Sequence, residues 1–423
     1  MIDLKYLEAN QLAIKENLQK RFKTDMVWVV DELVQDYTQW KLLKKEADDL
    51  RHIRNNLSKE INEAKKKGKD AKALLQQSKA LPEAIENTEE KSQLLREKIN
   101  EALKKLPNFL HSSVPIAQEE EDNEVVRVSG KPTKLPFEAK SHVDLLQTLD
   151  LADIDRAGKV AGARFYYLKN ELVELDEAVI TFALNFLKKK KYTLIRTPDI
   201  LRKEVIAGAA ELADFEETLY KIEGDDLFLI ATAEHALASL HSGEVLDHLP
   251  LKYAGISSCY RREAGAHGKD TKGIFRVHEF RKVEQFVYSS EEESWDILEE
   301  LISNAEEIFS ALGLPYRVVN IVSGELNNAA AKKYDLEAWM PAQKTYREMG
   351  SCSNCTDYQA RKLNIRYKSG EGTKFCHLLN STALATPRVL VAILENYQQG
   401  DGTILVPKAL QPYVSFKKIE PKE

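Results

Sequence analysis

The sequence is poor in cysteine and in long apolar runs, and both shortages limit what the protein can be. Only 4 of its 423 residues are cysteine, too few for a disulfide framework in a chain of this length. No apolar stretch approaches the roughly 18 residues that a membrane span needs. The N-terminal residues also lack the basic and then apolar order of a secretory signal. We therefore expect a cytoplasmic protein with no membrane partner.

Several widespread catalytic and metal-binding patterns are missing as well. The sequence has no Gly-x-x-x-x-Gly-Lys-Ser/Thr phosphate loop, no Gly-x-Ser-x-Gly elbow and no His-Glu-x-x-His. Its nearest metal pattern joins Cys352 and Cys355 to Cys376 and His377. Because Cys376 and His377 are adjacent, they are poorly placed to complete one tetrahedral site. We expect buried thiols here and no zinc.

Glycine and proline are scarce in the first quarter of the chain, where only Gly68 and Pro82 occur between Val27 and Leu106. Small and apolar residues recur there at alternating spacings of three and four, in two successive series. A period of 3.5 held over about four heptads is typical of a coiled coil. We therefore predict an antiparallel hairpin of two long helices over about residues 28–106, with its turn near Gly68. Pro82 should kink or restart the returning helix.

Acidic side chains outnumber basic ones, 67 to 61, which gives a net charge of −6. Taken alone, this excess argues against a nucleic-acid binder. The charge is unevenly distributed, however, because residues 41–80 hold twelve basic and six acidic side chains. A lysine-rich helix surface is usually a solvated face, but the same stripe also suits contacts to a phosphate backbone. Charge alone leaves both interpretations open.

The composition changes after the predicted hairpin. Prolines and an acidic run mark the next thirty residues as a linker or crossing segment. Beyond them, helical patterns mix with strand-like runs, including 253–260 and 276–288 on either side of a glycine-rich loop. Strands joined by a local loop are antiparallel, and irregular alternation of helices and strands favours an α+β fold. We predict an N-terminal domain over 1–110, a linker over 111–140 and a main domain over 141–423.

Arginine and glutamate side chains gather on these two strand-like runs. Arg261 and Glu263 close the first, and Arg276 and Glu284 lie on the second. A structural ion-pair network would explain a single pair of this kind. Several such charges on a central sheet are costly to bury unless they bind a charged ligand. The pattern favours an anionic ligand that carries a cationic group nearby.

Two later segments add groups suited to a phosphate. Glu348 and Ser351 supply a carboxylate and a hydroxyl, which suit a magnesium–phosphate unit. Arg388 begins an apolar helix, and an arginine at a helix start can hold a phosphate. The candidate ligand therefore carries phosphate and is held by arginines and carboxylates.

Taken in their order along the chain, these segments resemble the motifs of a class II aminoacyl-tRNA synthetase and, more narrowly, of the seryl-tRNA synthetase family. Arg261-Arg262-Glu263 through Phe280 to Glu284 resembles motif 2. The helix and strand that lead to Pro198 resemble motif 1, and Leu379 to Gln398 resembles motif 3. Thr232-Ala233-Glu234 matches the serine-binding triplet, and the N-terminal hairpin resembles the tRNA-binding arm. The likeness spans the whole chain.

The resemblance implies a fold and a reaction. The fold would be a coiled-coil arm and a catalytic domain built on a mainly antiparallel sheet flanked by helices. The protein would be a homodimer that activates L-serine with ATP to seryl-adenylate and passes serine to the 3′-terminal adenosine of tRNA(Ser). Charging of tRNA(Sec) is left open. Mg²⁺ would accompany ATP, and neither step needs a protein nucleophile.

The resemblance also implies a role for each motif residue. The catalytic residues would be Arg261, Arg276 and Arg388. Serine would be bound by Thr232, Ala233, Glu234, Arg261, Glu284 and Thr382. ATP would be bound by Arg261, Arg262, Glu263, Arg276, Phe280, Glu348, Met349, Gly350, Ser351 and Arg388, with Glu348 and Ser351 also holding Mg²⁺. The tRNA would meet Lys44, Lys45, Arg51, Arg54, Lys65, Lys66, Lys67, Lys69, Lys269 and Lys272.

Two other interpretations compete with this one. A synthetase-like paralogue would activate an amino acid for a carrier other than tRNA, but such proteins commonly lack the long arm. A non-enzymatic coiled-coil scaffold would use the basic arm to bind a protein partner. That second interpretation leaves the ordered set of Arg261, Glu284, Glu348 and Arg388 unexplained.

Overall fold

The computed structural model of the protein describes residues 2–210, 218–263 and 272–421. The chain divides into two compact units, Met1–Phe109 and Leu110–Glu423. Within the described ranges, no helix is long and apolar enough to cross a membrane. The predicted α+β class, a helical arm followed by a mainly antiparallel sheet with helices, is confirmed.

The first unit is helical throughout. Its helices are α1 (Leu4–Ala9), α2 (Gln11–Lys20), α3 (Val27–Lys66), α4 (Lys72–Lys79) and α5 (Leu81–Lys105). Helix α3 runs for 40 residues, and α5 returns beside it, so the predicted hairpin is confirmed. Pro82 stands in the first turn of α5, where its missing N–H has no helical partner to lose. The proline therefore restarts the helix after the break that follows α4.

The turn of the hairpin forms as its residue types predict. Gly68 has a φ of +65°, a left-handed conformation that glycine adopts without steric cost. The N–H of Lys69 then donates to the carbonyl of Ala64 at 2.9 Å, as in common helix C-terminal motifs. The carboxylate of Asp70 accepts from the N–H of Lys72 at 2.9 Å and so satisfies an unpaired donor at the start of α4.

The base of the hairpin holds the core of the first unit. Leu7 and Leu18 pack there with Leu33 from α3 and with Ile99 and Leu103 from α5, all at most 1% exposed. Farther along the arm fewer apolar side chains are buried, among them Ala47, Ile61 and Ile85, and the Arg51 guanidinium contacts the Glu89 carboxylate at 2.6 Å. The base of the hairpin is therefore stabilised independently of its distal half.

An eight-stranded sheet is the centre of the second unit, with strand order β1-β10-β11-β12-β15-β9-β8-β4. These strands pair antiparallel except for β4 and β8, which run parallel. They are β1 (Glu124–Ser129), β4 (Thr193–Arg196), β8 (Leu251–Tyr260), β9 (Glu279–Ser289), β10 (Tyr316–Asn320), β11 (Lys332–Met340), β12 (Thr345–Asn354) and β15 (His377–Ala385). Shorter strands form small sheets: β2 (Ala152–Asp153), β3 (Tyr167–Leu168), β5 (Ile200–Arg202), β6 (Leu227–Leu229), β7 (Val245–Leu246), β13 (Arg366–Ser369), β14 (Gly372–Phe375), β16 (Ile404–Leu405) and β17 (Lys418–Ile419).

Helices cover the two faces of the large sheet unequally. They are α6 (His142–Thr148), α7 (Ile154–Val160), α8 (Glu171–Lys189), α9 (Lys203–Ala209), α10 (Ala233–Ser239), α11 (Ser294–Ala311), α12 (Tyr358–Leu363) and α13 (Thr386–Tyr397). The apolar sides of α8, α11 and α13 pack on one face of the sheet and form the main core. On the other face, α10 and α12 pack on the far ends of β9 and β15. The remainder of that face holds polar side chains and is open to a cleft.

Two details of the sheet differ from the sequence-based expectations. Strand β1 lies inside the segment 111–140, which we expected to be a linker, and pairs with β10 at the edge of the sheet. The strand predicted from Arg276 begins only at Glu279. Before that point the chain makes other contacts, because the N–H of His278 donates to the carbonyl of Arg164 at 3.2 Å. Arg276 therefore precedes β9 instead of lying on it.

Candidate active site

A cleft of about 750 Å³, including its solvent-filled mouth, opens on the less covered face of the sheet. Its floor is formed by β9, β12 and β15 and by Arg261, which directly follows β8, and its ends by the N-termini of α10 and α13. Successive side chains of a strand alternate between faces, so Phe280, Lys282 and Glu284 of β9 all point into it. The sequence-predicted residues that line the cleft are Thr232, Glu234, Arg261, Glu263, Arg276, Phe280, Glu284, Glu348, Met349, Gly350, Ser351, Thr382 and Arg388.

Arg261 lies at the end of β8, where backbone contacts fix its position. Its N–H donates to the carbonyl of His278 at 2.9 Å, and the His278 Nδ1 donates in return to the carbonyl of Arg261 at 2.7 Å. The guanidinium donates through Nε to the carbonyl of Ala231 at 3.3 Å and lies 5.3 Å from the centre of the Phe280 ring. Cation and ring together form a platform in the middle of the cleft.

Arg276 is held by a neighbouring carboxylate. Its Nη1 donates to Glu263 Oε2 at 3.0 Å. Glu263 itself has a φ of +49°, an uncommon left-handed conformation for a residue with a side chain. Such conformations are found often at ligand sites, where the surrounding structure maintains them. The pair therefore presents both an arginine and a carboxylate to the cleft.

The inner end of the cleft contains a compact polar cluster. The Lys282 ammonium lies 2.5 Å from Glu284 Oε2 and donates to Thr232 Oγ1 at 2.7 Å. Thr382 Oγ1 donates to the same Glu284 oxygen at 3.4 Å. Thr232 also caps α10, because its hydroxyl accepts from the N–H of Glu234 at 3.2 Å. The cluster can therefore recognise a small molecule that carries both an ammonium and a hydroxyl group.

Glu234 is the most perturbed carboxyl of this cluster. Burial, reinforced by the charge of Glu284, raises the pKa of Glu234 to about 7. A hydrogen bond from Gln359 Nε2 to Glu234 Oε1 at 3.0 Å and the charges of Lys282 and Arg261 favour the ionised form and limit the rise. The Glu234 carboxyl therefore changes its ionisation near neutral pH, where a bound cation would favour the carboxylate.

The opposite end of the cleft is built around Arg388 in the first turn of α13. Its Nη1 lies 3.1 Å from the Glu348 carboxylate and donates to the Glu348 carbonyl at 3.2 Å. The charge of Arg388 holds the pKa of Glu348 well below its usual range. Glu348 is therefore ionised at neutral pH, and it lines the cleft beside Ser351. A carboxylate and a hydroxyl are suitable ligands for a hard divalent cation.

Gly350 sits where β12 passes Thr382. A Cβ atom at this position would lie 2.6 Å from the Thr382 Cβ and 2.8 Å from its Cγ2. These distances are too short for non-bonded carbon atoms, so any larger residue would displace Thr382 from Glu284. Glycine at this position therefore preserves the geometry of the inner cluster.

Two predicted ligands do not line the cleft, and one lies outside the described residues. Ala233 is completely buried in α10, and its side chain packs into the adjoining core. Arg262 does not line the cleft, and its N–H donates to the carbonyl of Thr218 at 2.9 Å. Lys269 falls in the undescribed segment 264–271, and Lys272 is exposed. In the first unit, the predicted arm residues are exposed: Lys44, Lys45, Arg51, Arg54, Lys65, Lys66, Lys67 and Lys69.

Sequence analysis missed several residues at this site, and three of them contact predicted ligands. Lys282 lies two residues before Glu284 on β9, and the alternation of side chains along a strand could have identified it as a residue of the same face. The Phe275 ring centre lies 4.6 Å from the Arg347 guanidinium and 5.6 Å from that of Arg388, but no pattern in the sequence marks this residue. Gln359 reaches Glu234 from another helix, a contact that no local pattern encodes. The four cysteines are free and buried, and the described residues contain no cluster of three or more potential metal ligands from His, Cys, Asp and Glu.

Comparison with known proteins finds a matching family model in each of the two units. Residues 1–110 match the family model described as the seryl-tRNA synthetase N-terminal domain, and residues 217–397 match the tRNA synthetase class II core domain of the G, H, P, S and T enzymes. The chain is 49% identical to the serine--tRNA ligase of Pyrococcus abyssi, over all of this chain and 98% of that one. The crystal structure of seryl-tRNA synthetase from Pyrococcus horikoshii complexed with ATP covers the whole of both chains, with a TM-score of 0.96 and 48% identity. The cytoplasmic serine-tRNA ligase of Naegleria fowleri in complex with AMP gives a TM-score of 0.90 at 40% identity, over all of this chain and 99% of that one.

Proposed function

The chain belongs to the seryl-tRNA synthetase family of class II aminoacyl-tRNA synthetases, and from this premise we propose how its residues carry out the reaction. As a serine--tRNA ligase it activates L-serine with ATP and transfers the seryl group to tRNA. In the first step the serine carboxylate attacks the α-phosphate and pyrophosphate leaves. In the second, a hydroxyl of the tRNA's terminal adenosine attacks the seryl carbonyl and AMP leaves.

The observation that supports this assignment best is the division of one cleft into two ends of different chemistry. One end holds the carboxylates Glu234 and Glu284 with the hydroxyls of Thr232 and Thr382, which suit the ammonium and hydroxyl groups of serine. The other end holds arginines that suit a triphosphate. Both ends meet at Arg261, so the two substrates would react there. Catalysis then depends on positioning and on stabilising phosphate charge.

For the nucleotide, we assign the arginines and the aromatic ring of the outer cleft. Arg276 and Arg388 would hold the distal phosphates, and Phe280 would stack on adenine beside the Arg261 guanidinium. Glu348 and Ser351 fit Mg²⁺, because the carboxylate is kept ionised by Arg388 and both groups supply oxygen ligands. Bound there with ATP, the ion would neutralise phosphate charge.

The functional test is serine-dependent exchange of radioactive pyrophosphate into ATP. We expect exchange with serine and at most background with alanine, because a site that pairs with a substrate hydroxyl rejects the analogue that lacks it. A folded protein that binds ATP but gives no exchange with serine would contradict the assignment. Exchange with alanine at the same rate would contradict the proposed role of Glu284 and Thr382.

We expect serine use to depend on pH through Glu234. The carboxylate form would hold the serine ammonium, and the pKa of Glu234 is about 7, so the functional form increases as the pH rises. The kcat/KM for serine should therefore increase by about tenfold between pH 6 and pH 8. Glu234→Gln should lower this constant and flatten its pH profile, while the KM for ATP changes little. A rise of the same size in Glu234→Gln would show that another group titrates.

The remaining assignments concern assembly and location. We propose a homodimer that uses α8 and β4, since β4 is an edge strand of the sheet and Val173 and Leu194 are 44% and 41% exposed there. We assign residues 1–110 to binding tRNA(Ser), 111–140 to a connecting segment that also supplies β1, and 141–423 to catalysis. The free cysteines are compatible with the reducing cytoplasm.

A further inference from the structure

Lys282 is a buried positive charge that none of the proposed catalytic roles uses. Its residue is 6% exposed, and its ammonium contacts Glu284 Oε2 at 2.5 Å and Thr232 Oγ1 at 2.7 Å. Both partners are proposed ligands of serine. The lysine therefore touches the serine pocket from β9 without belonging to the groups that we assign to the substrate.

The cost of burial argues that this lysine has a function. An ammonium group loses its hydration when buried and must recover that free energy from close partners. On the same face of β9, Phe280 precedes Lys282 and Glu284 follows it, while the aromatic residues Phe286 and Tyr288 lie farther along and are fully buried, so this face of the strand also accepts apolar side chains. The Lys282 ammonium instead contacts Glu284 and Thr232, two side chains that we assign to serine binding. Its burial is therefore better explained by its effect on those two side chains.

We propose that Lys282 is a positioning residue that sets the serine specificity of the cleft by fixing Glu284 and Thr232 in the arrangement that receives serine. This inference rests on the proposed function. The Lys282 ammonium holds one Glu284 oxygen at 2.5 Å and the Thr232 hydroxyl at 2.7 Å. The second Glu284 oxygen stays available for the substrate. The lysine also offsets the negative charge of the pocket before serine enters.

The charges that face Glu234 support this role. They come from Glu284 and Lys282 on β9 and from Arg261 at the end of β8, while Gln359 of α12 donates to its carboxyl group and His235 follows it on α10. Burial and the charges of Lys282 and Arg261 lower the pKa of His235 to about 3, so His235 is neutral and adds no charge. Lys282 therefore favours the ionised form of Glu234 as well as fixing Glu284.

The test replaces Lys282 by methionine, which keeps the length of the side chain and removes its charge. In pyrophosphate exchange we expect the KM for serine to rise by about 10- to 100-fold, with the KM for ATP within about twofold. Discrimination between serine and alanine should fall by about tenfold or more, since Glu284 loses the contact that fixes it. The acid limb of the pH profile for serine should move to higher pH, because a charge that favours ionised Glu234 is gone.

Two further variants make the result decisive. Lys282→Arg keeps the charge and should restore part of the serine affinity and return the pH profile toward that of the wild type, which a purely structural role would not predict. Lys252→Met is the matched control, because Lys252 lies on the neighbouring strand β8, outside the cleft, and pairs with Glu300 of α11 at 2.7 Å. It should leave the KM for serine unchanged.

The outcomes separate this inference from the proposed function. A wild-type protein without serine-dependent exchange would overturn the function itself. An active wild type whose Lys282→Met variant keeps its serine KM, alanine discrimination and pH profile would overturn only the role of Lys282. If Lys282→Met melts well below the wild type, Lys282→Gln, which keeps a hydrogen-bond donor without charge, is measured instead. Unchanged serine kinetics in a folded Lys282→Gln variant would overturn the inference equally.

Discussion

Replacing Arg261 by alanine should lower serine-dependent pyrophosphate exchange by about 100- to 1,000-fold, an effect typical of losing one preorganised donor to a developing charge. Arg261 is the group that both ends of the cleft share. Its charge acts on Glu234 at the serine end and on Glu348 at the phosphate end. Its loss should therefore reduce kcat and also weaken the binding of both substrates.

The geometry of Arg261 makes a second variant informative. Arg261→Lys keeps the charge but loses the planar fork of donors, which is the feature that pairs with a carboxylate and a phosphate at once. We expect it to recover at most about a tenth of the wild-type rate. Arg366→Ala is the control, because that guanidinium lies over the Phe375 ring at 4.0 Å, away from the cleft. Wild-type exchange by folded Arg261→Ala would contradict the assignment of this residue.

Local chemistry explains why so much of the cleft could be predicted from sequence. Arg261 and Glu284 lie on strands joined by one loop, so their proximity follows from a hairpin of adjacent strands. The coiled-coil arm could be predicted for the same reason, because a period of 3.5 residues specifies a helix seam without information from elsewhere in the chain. Gly68 marked its turn for a similarly local reason. Each of these predictions depends on residues that are near one another in sequence.

The parts that sequence analysis missed depend on distant pairing. Strand β1 is exposed on both sides over much of its length, so it lacks the alternation that predicts a strand. It forms because β10, almost two hundred residues later, offers a free edge. Gln359 reaches Glu234 only because α12 and α10 pack on the same part of the sheet. Tertiary contacts of this kind decide structure without leaving a local pattern.

The start of β9 shows a different limit. The run from Arg276 reads as a strand, yet the ladder with β8 begins only at Glu279. Arg276 instead pairs with Glu263, and His278 donates to the carbonyl of Arg261. Beyond the ladder, one backbone hydrogen bond, from the Arg261 N–H to the His278 carbonyl, is therefore combined with side-chain contacts at the mouth of the cleft. A segment that we propose to bind ATP departs here from the regular structure that its residue types favour.

Removing the distal half of the hairpin should abolish tRNA charging and leave serine activation intact. A deletion of residues 52–88, closed by a short glycine-rich turn, removes eight basic and five acidic side chains. It keeps the Arg51–Glu89 contact at the new tip and every buried member of the core at the base of the hairpin. We expect pyrophosphate exchange within about twofold of the wild type and aminoacylation of tRNA(Ser) lowered by about 100-fold or more, because phosphate contacts supply most of the binding free energy.

A charge reversal distinguishes lost tRNA contacts from a general effect of truncation. The variant replaces Lys65, Lys66 and Lys67 by glutamate. It changes the charge of the exposed hairpin tip and leaves its helices in place. Aminoacylation should fall, and the KM for tRNA should rise most steeply at low salt, where charge acts over the longest range. The same reversal at Lys408, Lys417 and Lys418, which are exposed in the second unit, should have little effect. If exchange and charging fell together in the deletion variant, the hairpin would be supporting the fold and not binding tRNA.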